Sequence, residues 1–263
     1  MIEATGPLPL VAPSPGSSFT ELLDSLGNRP TWNLPPGEKP PVTPEGTTVL
    51  ALRFHDGVVM AGDRRATEGN LVAHRRIRKV FPADRYSAIS IAGIAGLATE
   101  MVRLFQVELE HYEKIEGVRL SLEGQASFLA RLVRGQLPMA FQGLVVVPLF
   151  AGYDFREGRG RLYSYDAVGG RYEEIDFGST GSGSRLAKSY LRTVYRDDLT
   201  AEEAADYAVR ALVAASQEDT ATGGPDLTRG IFPNVIRIDV DGFAELEDSA
   251  VEPLARQAVE AIR

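Results

Sequence analysis

Cysteine is absent from the 263 residues, which excludes disulfides, thiolate metal sites and a cysteine nucleophile. That absence fits a reducing compartment. No apolar run approaches the length of a bilayer span; the longest, Leu144–Phe150, is interrupted by Pro148. No basic stretch precedes an apolar one at the N-terminus, so no secretory signal is indicated and cytoplasmic residence is the simplest expectation. Positive charge is in short supply too: 28 Lys+Arg stand against 36 Asp+Glu, a formal net charge of -8. The densest basic run, Arg75, Arg76, Arg78 and Lys79, is brief. Neither nucleic acid nor a membrane is therefore an expected partner. His55, His74 and His111 lack ligand spacing, so no metal and no other cofactor is expected.

The remaining composition is that of an ordinary globular protein, 44% apolar and 24% charged. The length suits one large domain or two small ones, with enough apolar surface for a core without staples. The chain divides near residue 46. Ten of its 16 prolines lie before that point, from Pro7 to Pro44, and such a segment disfavours helix interiors and sheet ladders. One island interrupts it: Phe19, Leu22, Leu23 and Leu26 share a helical face, and Ser18 with Glu21 has capping-box spacing. So short a helix needs a partner surface to persist. The segment is either an inert tail or a removable piece that docks during folding or assembly.

From Thr47 the pattern becomes regular. Strands are predicted at 47–54 and 57–64, joined by the turn His55-Asp56-Gly57, and at 77–81 and 88–93. Two helices follow, striped by Leu97, Met101, Leu104, Phe105 and Leu109, then by Leu122, Leu129, Val133 and Leu137. Strands at 144–153, 161–166 and 171–177 precede a second helix pair at 184–195 and 201–216. The latter is announced by the capping box Thr200-Ala201-Glu202-Glu203. A strand at 234–240 and a short helix close the chain. Strand blocks alternating with helix pairs suit two sheets packed together with helices on their outer faces.

Five elements carry chemistry. Strand alternation places Arg76 and Arg78 on one face and Ile77, Lys79 and Phe81 on the other, so Lys79 has the inward parity. Asp63 follows Val59 and Ala61 on the apolar parity of its own strand. Two opposite charges in apolar surroundings would satisfy each other, as a structural ion pair or as part of a site. Gly46-Thr47-Thr48 lies where the Pro-rich leader meets the folded body. Cleavage there would leave a threonine whose α-amine, with a reference pKa near ~8, can take its own hydroxyl's proton. A nearby lysine cation would keep more of that amine neutral. Ser90-Ile91-Ala92-Gly93 runs from strand to helix, either as an ordinary turn or as a place where a backbone N–H faces an oxyanion. Ser179–Ser184 is rich in Gly and Ser but lacks the Gly-Lys-Ser/Thr ending of a phosphate loop; close backbone approach to an active-site group fits better. Glu218–Gly224 is a polar exit from a long helix, which could equally be a plain C-terminal turn.

Together these residues resemble the catalytic β subunits of the proteasome, members of the N-terminal nucleophile hydrolases. The resemblance runs from Thr47 to the last helix. Asp63 stands 16 residues after Thr47 and Lys79 another 16 on, at the family's core positions. Gly62–Arg65, Gly93, Gly181–Gly183 and the Asp219…Gly223-Gly224 segment also match. The resemblance implies an α+β fold, a four-layer αββα sandwich of two mainly antiparallel sheets. It implies a propeptide, residues 1–46, removed by autocleavage between Gly46 and Thr47, and a catalytic domain, residues 47–263. The leader looks most like those of actinobacterial subunits. In the implied roles Thr47 is nucleophile and its amine the base, Lys79 tunes both, and Asp63 orients Lys79. Gly93 N–H forms the oxyanion hole, while Ser182, Asp219 and Thr222 support the terminus. Thr222 stands where the family usually has serine.

Thr67 matches the position that pairs with the substrate backbone, and Ala66, Ile77, Ile91, Ala95 and Thr99 would line the primary specificity pocket. Their neutral, mostly apolar character implies cleavage of polypeptides after apolar residues. The implied partners are further copies of the chain in two stacked heptameric β rings, α subunits capping them, and an ATPase ring or other activator acting through the α rings. The precursor would be latent, because the Thr47 nitrogen is then an amide. Other readings are a two-ring threonine protease or small-molecule amidase of the same superclass, and a non-catalytic ring scaffold. A scaffold has no need of Thr47, Asp63 and Lys79 together.

Overall fold

A computed structural model describes residues 47–68 and 71–262. The leader helix anticipated around residues 18–26 and Gly46 lie outside the described residues. Among those described are twelve strands and six helices.

One sheet is built from β1 (Thr48–Phe54), β2 (Gly57–Gly62), β10 (Phe177–Gly181), β11 (Asn234–Asp239) and β12 (Gly242–Glu245), in the order β10-β1-β2-β11-β12. A second contains β5 (Val80–Asp84), β6 (Ser87–Gly93), β7 (Val146–Asp154), β8 (Arg159–Tyr165) and β9 (Arg171–Glu174), in sequential order. Every pairing is antiparallel. A small hairpin of β3 (Ala66–Glu68) and β4 (Leu71–His74) stands apart from both.

The helices fall into two groups. α1 (Ala95–Glu116) and α2 (Leu122–Gly135), followed by the single turn α3 (Leu137–Ala140), connect β6 to β7. α4 (Ser184–Val194) and α5 (Ala201–Glu218) connect β10 to β11, and α6 (Asp248–Glu260) ends the chain. Local signals set their ends. Thr200 and Glu203 form a reciprocal capping box at the start of α5, and Gly117 closes α1 in the left-handed conformation at φ 68°. No helix among the described residues is long and apolar enough to cross a membrane.

Strand parity sorts the core into three layers. Val49 and Ala51 of β1, with Val58 and Met60 of β2, meet Ala88, Leu149, Ala151 and Leu162 between the two sheets. Leu50, Leu52, Val59 and Ala61 point the other way and pack beneath α4, α5 and α6. Ile89, Phe150 and Tyr163 face α1 and α2 on the far side. The result is helices, sheet, sheet, helices: the αββα sandwich that the order of elements suggested.

Three expectations need correction. The strand anticipated at 171–177 is two strands in different sheets, β9 and β10, because the chain crosses between layers at Ile175 and Asp176. Phe177–Gly181 is therefore a ladder partner of β1, paired from Thr48↔Gly181 to Leu52↔Phe177, and not the opening of a loop. The strand anticipated at 77–81 begins regularly only at Val80. The β3–β4 hairpin and β12, four residues or fewer per strand, give no periodic signal long enough to read.

A partly buried polar node fixes the second sheet to its helices. Asp84 accepts from Arg119 Nε at 2.6 Å and Nη2 at 3.0 Å, from Gln125 Nε2 at 2.7 Å, from Ser87 Oγ at 2.7 Å and from the Tyr86 N–H at 2.8 Å. Burial alone would raise its pKa; the Arg119 bonds and charge, with Ser87 and Tyr86, outweigh that and hold it below the usual carboxylate range. A depressed carboxylate stabilises the fold above the unfolded-state pKa, and this contribution is lost as pH falls through the folded value. Asp84→Asn should therefore lower unfolding free energy at pH 7 by about 1–3 kcal/mol in urea titrations. The gap from the wild type should shrink as pH drops below ~4.

Candidate functional site

Asp63 follows β2 on the parity of Val59 and Ala61, toward the helices. It is fully buried, and each of its oxygens takes two donors. Oδ1 accepts from Lys79 Nζ at 2.6 Å and from the Thr48 N–H at 2.9 Å. Oδ2 accepts from the Arg65 and Gly223 N–H groups, both at 2.9 Å. Four donors on one carboxylate offset its desolvation far better than a single cation could. Both parities of β2 are buried, so alternation alone could not single Asp63 out.

Lys79 reaches this carboxylate from just before β5 and is only 2% exposed. Burial pushes its pKa below the ordinary lysine value, while the Asp63 charge and hydrogen bond pull it back up. Gly62 leaves room for the lysine stem, since a Cβ there would lie 3.1 Å from the Lys79 Cβ. Ile77, Lys79 and Phe81 line one cavity, but Arg78, of the opposite parity, borders it too, and only Phe81 belongs to the strand.

Thr47 sits where two cavities meet. Each has a volume of about 280 Å³, and each is bordered by both Thr47 and Gly93. One is lined by Ala66, Ile77, Arg78, Lys79, Ile91, Ala95 and Thr99 among others. The other is lined by Ala92, Ile94, Val145, Thr180, Gly181 and Ser182 among others. Thr67, in β3, borders neither. Gly93 has φ 117°, and a Cβ on it would lie 2.0 Å from the Val145 carbonyl oxygen, so only glycine allows β6 to approach here before α1 begins.

The third group closes behind Thr47. Its carbonyl accepts from the Ser182 N–H at 3.0 Å. Ser182 Oγ donates to Asp219 Oδ2 at 2.6 Å, and Thr222 Oγ1 donates to the same oxygen at 2.5 Å. Asp219 is presented by the end of α5, whose last turn it caps. The chain then turns so that Gly223 N–H arrives at Asp63, while Arg65 Nη1 donates to the Thr220 carbonyl at 3.1 Å.

The structure thus brings Thr47, Asp63, Lys79, Gly93, Ser182, Asp219 and Thr222 into one neighbourhood. It adds Thr48, whose hydroxyl lies in this network, and gives Gly181 and Gly183 a role as spacers. A Cβ at Gly181 would lie 1.8 Å from the Thr47 carbonyl oxygen, and one at Gly183 would lie 2.6 Å from Thr222 Oγ1. The Gly-Ser-Gly run signalled the approach without naming what approached. Among the described residues no group of three or more His, Asp or Glu is placed to hold a metal ion.

Two antiparallel sheets face to face between helix layers, with the site at the start of the first strand, form the fold of N-terminal nucleophile hydrolases. The proteasome subunit family matches residues 43–226. The chain is similar to the curated proteasome subunit beta of Streptomyces griseus, 51% identical over 264 residues, 98% of this chain and 93% of that one. The proteasome subunit beta of Acidimicrobium ferrooxidans is likewise 51% identical, over 97% of this chain and 94% of its own length. That of Stackebrandtia nassauensis is 52% identical over 93% and 90%. The chain belongs to the proteasome subunit family.

Asp63 is the most connected group in the site, which makes its charge testable apart from activity. In Asp63→Asn one oxygen becomes an NH₂ facing two N–H donors or an N–H and an ammonium. Stability should fall by about 3–5 kcal/mol, read from the urea midpoint of the purified variant. A loss under about 1 kcal/mol would contradict the four-donor arrangement.

Proposed function

We propose that the chain is a threonine-type endopeptidase, the catalytic β subunit of a proteasome core particle, made as a latent precursor that cuts itself between Gly46 and Thr47. The observation that carries this reading is the position of Thr47. It stands at the junction of two cavities, near the buried Asp63–Lys79 pair. The names of the actinobacterial relatives support the same reading.

In the precursor, Thr47 Oγ adds to the Gly46 carbonyl carbon and the Gly46–Thr47 C–N bond breaks. The acyl group passes to oxygen as an ester, and the nitrogen gains a proton as a free amine. Water then hydrolyses the ester, leaving a Gly46 carboxylate and a mature chain beginning at Thr47. Residues 1–46 are thereby a propeptide and 47–263 the catalytic domain. In the mature chain the amine takes the hydroxyl proton as oxygen attacks a substrate carbonyl, then returns it to the departing amine of the peptide. Water resolves the acyl-enzyme. The Lys79 cation, oriented by Asp63, favours the neutral amine. Gly93 N–H stabilises the oxyanion, and Ser182, Asp219 and Thr222 hold the terminus.

The cavity lined by Ala66, Ile77, Ile91, Ala95 and Thr99 takes the side chain before the scissile bond, and Thr67 pairs with the substrate backbone. The particle comprises two stacked heptameric β rings capped by α subunits, with an ATPase ring or other activator admitting unfolded polypeptides, in the cytoplasm.

Co-expression with an α subunit tests the reading. The wild-type chain should lose the residues up to Gly46 by intact mass and hydrolyse peptides in a multi-ring particle. Thr47→Ala should keep those residues, assemble, and hydrolyse peptides at background rate; cleavage by that variant would refute the assignment. Across a peptide panel, Leu or Tyr before the scissile bond should be cleaved faster than Arg or Asp. The reverse order would contradict the pocket assignment.

A further inference from the structure

The Thr48 hydroxyl has a place in the network that the proposed mechanism does not use. Its oxygen accepts the Gly183 N–H at 2.9 Å and lies 2.5 Å from Thr222 Oγ1. A threonine has one hydroxyl proton, and that of Thr222 is committed to Asp219 Oδ2. The short contact must therefore carry the proton of Thr48. The bonds have one direction, from Thr48 to Thr222 to Asp219, where Ser182 also delivers its proton. Thr48 and Thr222 are both fully buried, so no water substitutes at either end.

The backbone on either side is clamped as well. Thr48 N–H donates to Asp63 Oδ1 and its carbonyl accepts from the Asp63 N–H at 3.2 Å, while Ser182 N–H holds the Thr47 carbonyl. A Cβ at Gly183 would lie 2.7 Å from Thr48 Oγ1, so the close packing around this hydroxyl depends on glycine. Once residues 1–46 are gone, Thr47 hangs from Thr48 by a single peptide bond. The place of its oxygen is then set by how firmly Thr48 is held.

We propose that Thr48 is a positioning residue for the reaction at Thr47, acting through the directed Thr48–Thr222–Asp219 hydrogen-bond chain. This rests on the reading of Thr47 as nucleophile. Displacing a nucleophile by about 1 Å can cost on the order of 100-fold in rate. The substrate cavities are bordered by other residues, so loss of the hydroxyl should lower kcat and leave KM nearly unchanged.

The experiment uses the assembled particle, with kcat expressed per processed chain as counted by intact mass. Thr48→Val, of equal shape without the hydroxyl, should lose about 10–100-fold in kcat with KM within about twofold, and Thr48→Ser should recover most of kcat. Thr48→Val also leaves the Gly183 N–H without its acceptor and Thr222 Oγ1 without its donor in a buried site, so the double variant with Thr222→Val is measured beside it. There the losses in kcat should be less than multiplicative, because both act through one chain. If Thr48→Val does not assemble, the double variant carries the test against Thr222→Val alone. A kcat for Thr48→Val within about twofold of wild type would overturn the proposal. So would a double variant whose losses simply multiply. Failure of the underlying reading has a separate sign, peptide hydrolysis by Thr47→Ala.

Discussion

Everything at the site hangs on one buried carboxylate. Asp63 is wholly sealed from solvent and receives four donors from four separate stretches of chain. Those stretches are the start of β1, the turn after β2, the approach to β5 and the exit from α5. Apart from Arg65, none is close to Asp63 in sequence. The carboxylate therefore fixes where the first strand begins relative to the lysine and to the loop carrying Asp219. Breaking one contact would leave a charge or an N–H stranded in the interior, so the four stand or fall together.

The layered fold explains why such a group can exist here. β2 is central in its sheet and covered on both faces, by the second sheet and by α5. A carboxylate just beyond its end is shielded without a special pocket having to be built. The two helix pairs are inserted between strands so that their ends, Ala95 of α1 and Asp219 after α5, return toward Thr47. Glycines at 93, 181 and 183 let backbones approach where any side chain would collide. The strong, directional part of the site is thus made by turns at the ends of long, ordinary elements.

Much of this was legible in the sequence, and the failures have physical causes. The long helices and the strands β1, β2, β6 and β11 stand out because their apolar patterns are long and their caps, such as Thr200 with Glu203, are explicit. Lys79 and Asp63 had the inward parity, but β2 is buried on both sides and Lys79 precedes its strand, so alternation alone could not single Asp63 out. β10 escaped because Phe177–Gly181 is short and rich in Gly, Ser and Thr, and its partner strand lies far away in sequence. Thr48 was invisible for the same reason: its bonds run to Thr222 and Gly183, and nothing local to Gly46-Thr47-Thr48 distinguishes one hydroxyl from the next. Thr67 carries a site role only through resemblance and borders neither cavity.

The central claim is that Thr47, freed of the chain before it, is the nucleophile. The most direct measurement treats the assembled particle with a β-lactone acylating probe and maps the adduct by peptide mass spectrometry. The account predicts one acyl group per chain, an ester on the hydroxyl of a peptide that begins at Thr47 with a free amine, formed in step with loss of peptidase activity. Inactivation with the adduct on any other residue, or a fully acylated Thr47 in a particle that still cleaves peptides, would contradict it.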